Sequence, residues 1–155
     1  MTLYEKLDVI ADSYNPILLL ISLVMIMLSF KSKGKNYAFY EAVLLITLML
    51  LVYGFQFIDK QLNIWSSLGL DYSTHTAFSV AIVFFVLFKD IKIYIIISFI
   101  CYIALMLFQK YHTISDILTT VLAISPLMYI CANYIHRQQT KNLPVETPTT
   151  RTPIT

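Results

Sequence analysis

The sequence predicts an all-α membrane protein, a bundle of five transmembrane helices with its N-terminus outside and its C-terminus in the cytoplasm. Three observations carry that expectation. Of 155 residues, 58% are hydrophobic and 13% are charged, about half the charged share of a soluble domain. The mean hydropathy is +0.72. The apolar residues fall in long runs almost free of charge, as a helix that must satisfy its own backbone in lipid requires.

The runs cover residues 16–30, 38–58, 75–88, 91–108 and 114–135. A span needs about 20 residues. The second, fourth and fifth runs meet that length, and the first meets it by taking in Tyr14 and Asn15. The third is the shortest and must include part of the polar stretch before it. Ahead of the first run, Leu3, Leu7, Ile10 and Tyr14 recur at helical spacing, which suits a short N-terminal interfacial helix. The acidic start lacks the positive segment of a cleavable signal peptide.

The connectors set the orientation. Lys31, Lys33 and Lys35 follow the first run, Lys89 and Lys92 follow the third, and Arg137, Lys141 and Arg151 follow the fifth. Threading five times puts all of these on one side, which the distribution of lysine and arginine assigns to the cytoplasm. The loops at 59–74 and 109–113 fall together on the other side. Residues 1–137 then form the membrane domain, and the Thr- and Pro-rich segment 138–155 is expected to be a disordered cytoplasmic tail.

Other classes recede. The net charge is +2 with no basic stripe, so nucleic acid is not an expected partner. Cys101 and Cys131 sit singly inside apolar runs, without disulfide or metal spacing; no metal and no cofactor are expected. Trp65 and Tyr72 suit an interfacial aromatic belt, and Pro126 is placed to kink the fifth span. Asp59 and Asp71 suit either helix capping or headgroup contact. Glu41 and Asp116 are the ionisable residues nearest to span interiors, too few for a proton-coupled transporter.

Two polar stretches on the extracytoplasmic side carry the chemistry. One is Asp71-Tyr72-Ser73-Thr74-His75-Thr76; the other runs from Gln109 to Asp116. His112 and Asp116 are four residues apart and share a helical face. A carboxylate so placed can fix one imidazole nitrogen and leave the other as base or nucleophile. With His75 nearby, the set can perform acid–base or nucleophilic chemistry at the membrane surface.

These residues resemble the type 2 phosphatidic acid phosphatase superfamily, over about residues 55–135. Tyr72-Ser73-Thr74-His75 stands where that family has Pro-Ser-Gly-His opening a helix. His112-Thr113-Ile114-Ser115-Asp116 matches its His, three residues, Asp element. The 36 residues between the two histidines hold two spans, as in the family. The resemblance implies that His112 attacks phosphorus, Asp116 orients it and His75 protonates the leaving alkoxide. Ser73, Lys60 and Lys110 would hold the phosphate. The family's arginines are absent: the third motif's Ser-Arg falls at Leu105 and Met106, and Lys60 is not followed by an Arg-Pro. Thr74 replaces its glycine. Two bidentate phosphate clamps are therefore missing. That leaves a less charged substrate, such as a phosphodiester, or a decayed site serving as a headgroup binder or a small subunit of a complex, with a protein partner or a second copy. The sphingomyelin synthase branch, which lacks the first motif, has similar Ser-Gly-His-Thr and His-Tyr-Thr-x-Asp elements.

Overall fold

A computed structural model describes residues 2–142. The chain is all-helical, with no strand among the described residues. Among the described residues six helices follow in order: α1 (Leu3–Lys33), α2 (Lys35–Leu62), α3 (Ile64–Ser67), α4 (Thr74–Phe85), α5 (Lys92–Phe108) and α6 (Ile114–Asn142).

Three of them, α1, α2 and α6, are long and apolar enough to cross a membrane. The 31 residues of α1 extend about 46 Å at 1.5 Å per residue, well beyond a hydrocarbon core. At 12 and 17 residues, α4 and α5 are apolar but shorter than the usual span. The N-terminal segment is not a separate interfacial element. It is the first part of α1, which runs on through Pro16 and starts at a capping box: Thr2 Oγ1 accepts from Glu5 N–H, and Glu5 Oε2 accepts from Thr2 N–H. Pro126 likewise lies inside an unbroken α6. That helix reaches five residues into the segment expected as tail, and 143–155 lie outside the described residues.

The 12-residue α4 holds the centre. On α4, Ala77, Ala81 and Ile82 are fully buried, and α1, α2, α5 and α6 all pack against it. Small residues at 77, 79 and 81 let its neighbours come close, which is how helices gain dispersion contacts where lipid removes the hydrophobic drive. The outer faces are apolar instead. Leu20, Leu50, Ile100 and Leu122 are all more than half exposed, an arrangement that suits lipid and not water.

Trp65 and Tyr72 are not belt aromatics. Both are buried and meet edge to face at 5.0 Å. Each places its polar tip inward: Trp65 Nε1 donates to Thr119 Oγ1 at 3.2 Å, and Tyr72 Oη donates to the Val52 carbonyl at 3.0 Å. They fasten the 63–73 connector onto α2 and α6. Asp59 acts as a cap, its Oδ1 accepting from Trp65 N–H at 2.8 Å.

Candidate functional site

The connector 68–73 and the turn 109–113 meet at one end of the bundle. Local chain chemistry shapes both. At the end of α5, Lys110 adopts a left-handed φ of 58°. Its N–H bonds the Leu107 carbonyl, and Tyr111 N–H reaches back to Met106. This is a Schellman stop with lysine where glycine is favoured. Gly69, at φ 70°, makes the same stop after α3, with Gly69 N–H on Ser66 and Leu70 N–H on Trp65.

Asp116 ties the two segments together. It is buried. Its Oδ2 accepts from Thr113 N–H at 2.8 Å and from the Thr113 hydroxyl at 2.7 Å. Its Oδ1 accepts from Asp71 N–H at 2.8 Å. Thr113 Oγ1 in turn accepts from Asp116 N–H, so the pair caps the start of α6 reciprocally. Both carboxylate oxygens are thus engaged by the chain, and the carboxylate nearest His112 belongs to Asp71. His112 Nδ1 lies 3.5 Å from Asp71 Oδ2. That is an ion-pair distance, and Nδ1 is a buried atom without a hydrogen bond.

The His112 side chain is only 12% exposed, whereas Asp71 is 74% exposed. Burial pushes the imidazole below its ordinary value, while Asp71 and Asp116 pull it up and His75 lowers it again. A cavity of about 530 Å³ opens in front of it, lined by Asp71, Lys110, His112, Thr113 and Asp116 among others. Lys110 is the cation in that lining.

His75 lines a different cavity, of about 370 Å³, with Asp12, Asn15, Tyr53 and Phe78. Its Nδ1 is 3.3 Å from Tyr102 Oη and 3.4 Å from Asn15 Nδ2. The Asn15 amide nitrogen can only donate, and the Tyr102 hydroxyl can donate or accept. Asn15 is buried and braces the helix as well: Nδ2 donates to the His75 carbonyl at 3.3 Å, and Oδ1 accepts from Ser79 Oγ at 2.9 Å. Tyr102 is held by stacking on Tyr14 at 4.0 Å.

The expected phosphate ligands divide. Lys110 is at the His112 cavity. Lys60, in the last turn of α2, lines neither cavity. Ser73 is fully buried as the cap of α4. Its hydroxyl accepts from Thr76 N–H and pairs with Thr76 Oγ1 at 2.8 Å, and its N–H donates to Thr120 Oγ1. Sequence reasoning had no role for Asn15 or Tyr102 and left Asp71 open. An amide at the start of an apolar run was a usable signal for Asn15; one tyrosine among eleven gave none for Tyr102.

Among the described residues no group of three or more His, Cys, Asp or Glu could hold a metal ion. Comparison with protein-family models, with curated proteins and with solved structures finds no match to this chain.

Proposed function

We propose that the chain is a membrane-embedded lipid phosphatase or headgroup phosphotransferase, working at the extracytoplasmic face through a phosphohistidine at His112. One observation carries the reading. A sheltered imidazole, held toward its neutral form, faces a cavity with a carboxylate on one side and a lysine in its lining. A neutral ring has a lone pair to give, and shelter from water favours attack on phosphorus.

In the first half-reaction the free imidazole nitrogen forms an N–P bond as the bond from phosphorus to the lipid oxygen breaks. The leaving alkoxide takes a proton from the His75 imidazolium, relayed through water because His75 lines the neighbouring cavity. In the second, water or an acceptor hydroxyl attacks phosphorus, the N–P bond breaks to restore neutral His112, and the attacking oxygen gives its proton by the same relay to His75. Asp71 steadies the ring as positive charge develops on it, the part the resemblance gives to Asp116. Lys110 meets the phosphoryl oxygens as a point charge. With one lysine in place of two arginine clamps, a phosphodiester headgroup is the favoured substrate over a dianionic monoester.

Five crossings accommodate this site. In that arrangement α4 and α5 cross with the help of their flanking turns, and the histidine end faces outward. The acyl chains remain in the bilayer while the headgroup reaches the cavity.

A second reading is a headgroup binder without turnover. It is favoured by Asp116 being committed to the α6 cap and by the two histidines lining separate cavities. Turnover separates the two. Purified chain in nanodiscs should release or transfer phosphate, or from a diester the phosphorylated headgroup, with one of three lipid classes, phosphomonoester, diphosphate or phosphodiester. His112→Ala should lower the rate on the order of 10³-fold or more while the protein stays folded. Silence across the panel from folded protein sinks the enzyme and leaves the binder.

A further inference from the structure

A second group of charged side chains lies at the other end of α1, away from His75 and His112. Glu41 of α2 is 5% exposed, and its Oε1 accepts from Lys89 Nζ. Its Oε2 is buried and has no hydrogen-bond partner. A buried carboxylate oxygen without a donor is costly, and in a native protein it calls for a specific explanation.

The surroundings provide one. A cavity of about 280 Å³ lies between the end of α1 and the turn joining α4 to α5. Its charged lining is Glu41 and Asp90 against Lys33 and Lys89, with the Ser29 and Ser32 hydroxyls beside them. The four charges cancel, so the cavity suits a ligand that carries both signs. Lys33 is held at the mouth, its Nζ 4.3 Å above the Tyr37 ring and donating to Tyr37 Oη at 3.2 Å. The unpartnered oxygen needs an N–H or O–H donor. Met25 and Leu28 form an apolar wall, and Leu28 continues onto the exposed outer face of α1.

We propose that this cavity binds the headgroup of a zwitterionic phospholipid with a primary ammonium. The ammonium donates to Glu41 Oε2, the phosphate meets Lys33, and an acyl chain follows Met25 and Leu28 into the bilayer. A quaternary ammonium has no N–H to give Glu41, and an anionic headgroup leaves Glu41 and Asp90 uncompensated. The site is independent of the His112 chemistry.

Lipid titration of the full chain in detergent tests this, read as the shift in thermal midpoint and by native mass spectrometry. Dioleoyl phosphatidylethanolamine should bind about tenfold more tightly than dioleoyl phosphatidylcholine, the worth of one hydrogen bond to a charged acceptor. Phosphatidylglycerol should bind more weakly than phosphatidylethanolamine. Glu41→Gln should erase the preference for ethanolamine over choline. Lys33→Ala, at an exposed position outside the core, should weaken ethanolamine lipid severalfold even if the Glu41 variant does not fold. Equal binding of the ethanolamine and choline lipids, tightest binding of phosphatidylglycerol, or an unchanged Lys33→Ala would overturn the assignment. So would water-soluble glycerophosphoethanolamine binding as tightly as the lipid, since the ligand would then be a free headgroup.

Discussion

At the scale of single residues, His112 couples the candidate site to pH. Burial holds its imidazole below the ordinary value, against the upward pull of Asp71 and Asp116. The unfolded chain takes up this proton near pH 6.5, and the folded chain takes it up only at lower pH. The folded state therefore keeps its full stability above that point and loses it as pH falls toward the depressed value. The thermal midpoint in detergent should decline as pH drops below about 6.5, and His112→Gln should flatten that part of the curve. Asp71→Asn removes an upward pull. It should extend the decline to lower pH and deepen it, and move the imidazole titration seen by NMR in the same direction. A profile identical in wild type and His112→Gln would show that this ring is not the titrating group.

At the scale of elements, the start of α6 is where a structural role and a chemical one compete for the same residue. Asp116 accepts three hydrogen bonds, two of them from backbone N–H groups on different segments. Asp116→Ala leaves those donors without a partner and should cost about 1–3 kcal/mol. Thr113→Ala loses the side-chain half of the cap and should cost about 1 kcal/mol. Chemical denaturation in a mixed micelle measures both. If Asp116→Ala lost turnover with stability unchanged, the carboxylate would be a reaction group and not a cap. Lys110 shows the same competition in milder form. Its left-handed backbone is a position glycine fills without strain, so Lys110→Gly should keep or raise stability while lowering affinity for a phosphate headgroup.

At the scale of the whole molecule, the apolar exterior and the two polar ends decide how the chain lies in a bilayer. The ends differ in kind. One gathers Asp71, His75, Lys110 and His112; the other gathers Lys33, Glu41 and Lys89. Reporter fusions in the 59–74 and 109–113 loops should lie on one side of the membrane. Fusions at Gly34 and Asp90 should lie on the other. Loops 59–74 and 109–113 on opposite sides would rule out five crossings and the shared surface proposed for the two histidines.

The sequence alone determined that the chain is helical and apolar, where four of the helices run, and that two polar stretches carry His75 and His112. Those properties are local: hydrophobic run length and composition are set by neighbours in the chain. It misjudged the N-terminal segment, because a helix with polar residues along its first turns reads as interfacial until something packs against it. Here Asn15 binds His75 and Ser79, and Asp8 accepts from Gln109 and Tyr111, which extends α1 into the bundle. Only the tertiary structure decided which carboxylate faces His112. Spacing put Asp116 on its helical face, but His112 lies two residues ahead of α6, in a segment that is not helical. A period of 3.6 residues does not apply there. The carboxylate that reaches the ring comes from Asp71, 41 positions away in the chain, brought in because Asp116 fastens the Asp71 backbone to the start of α6.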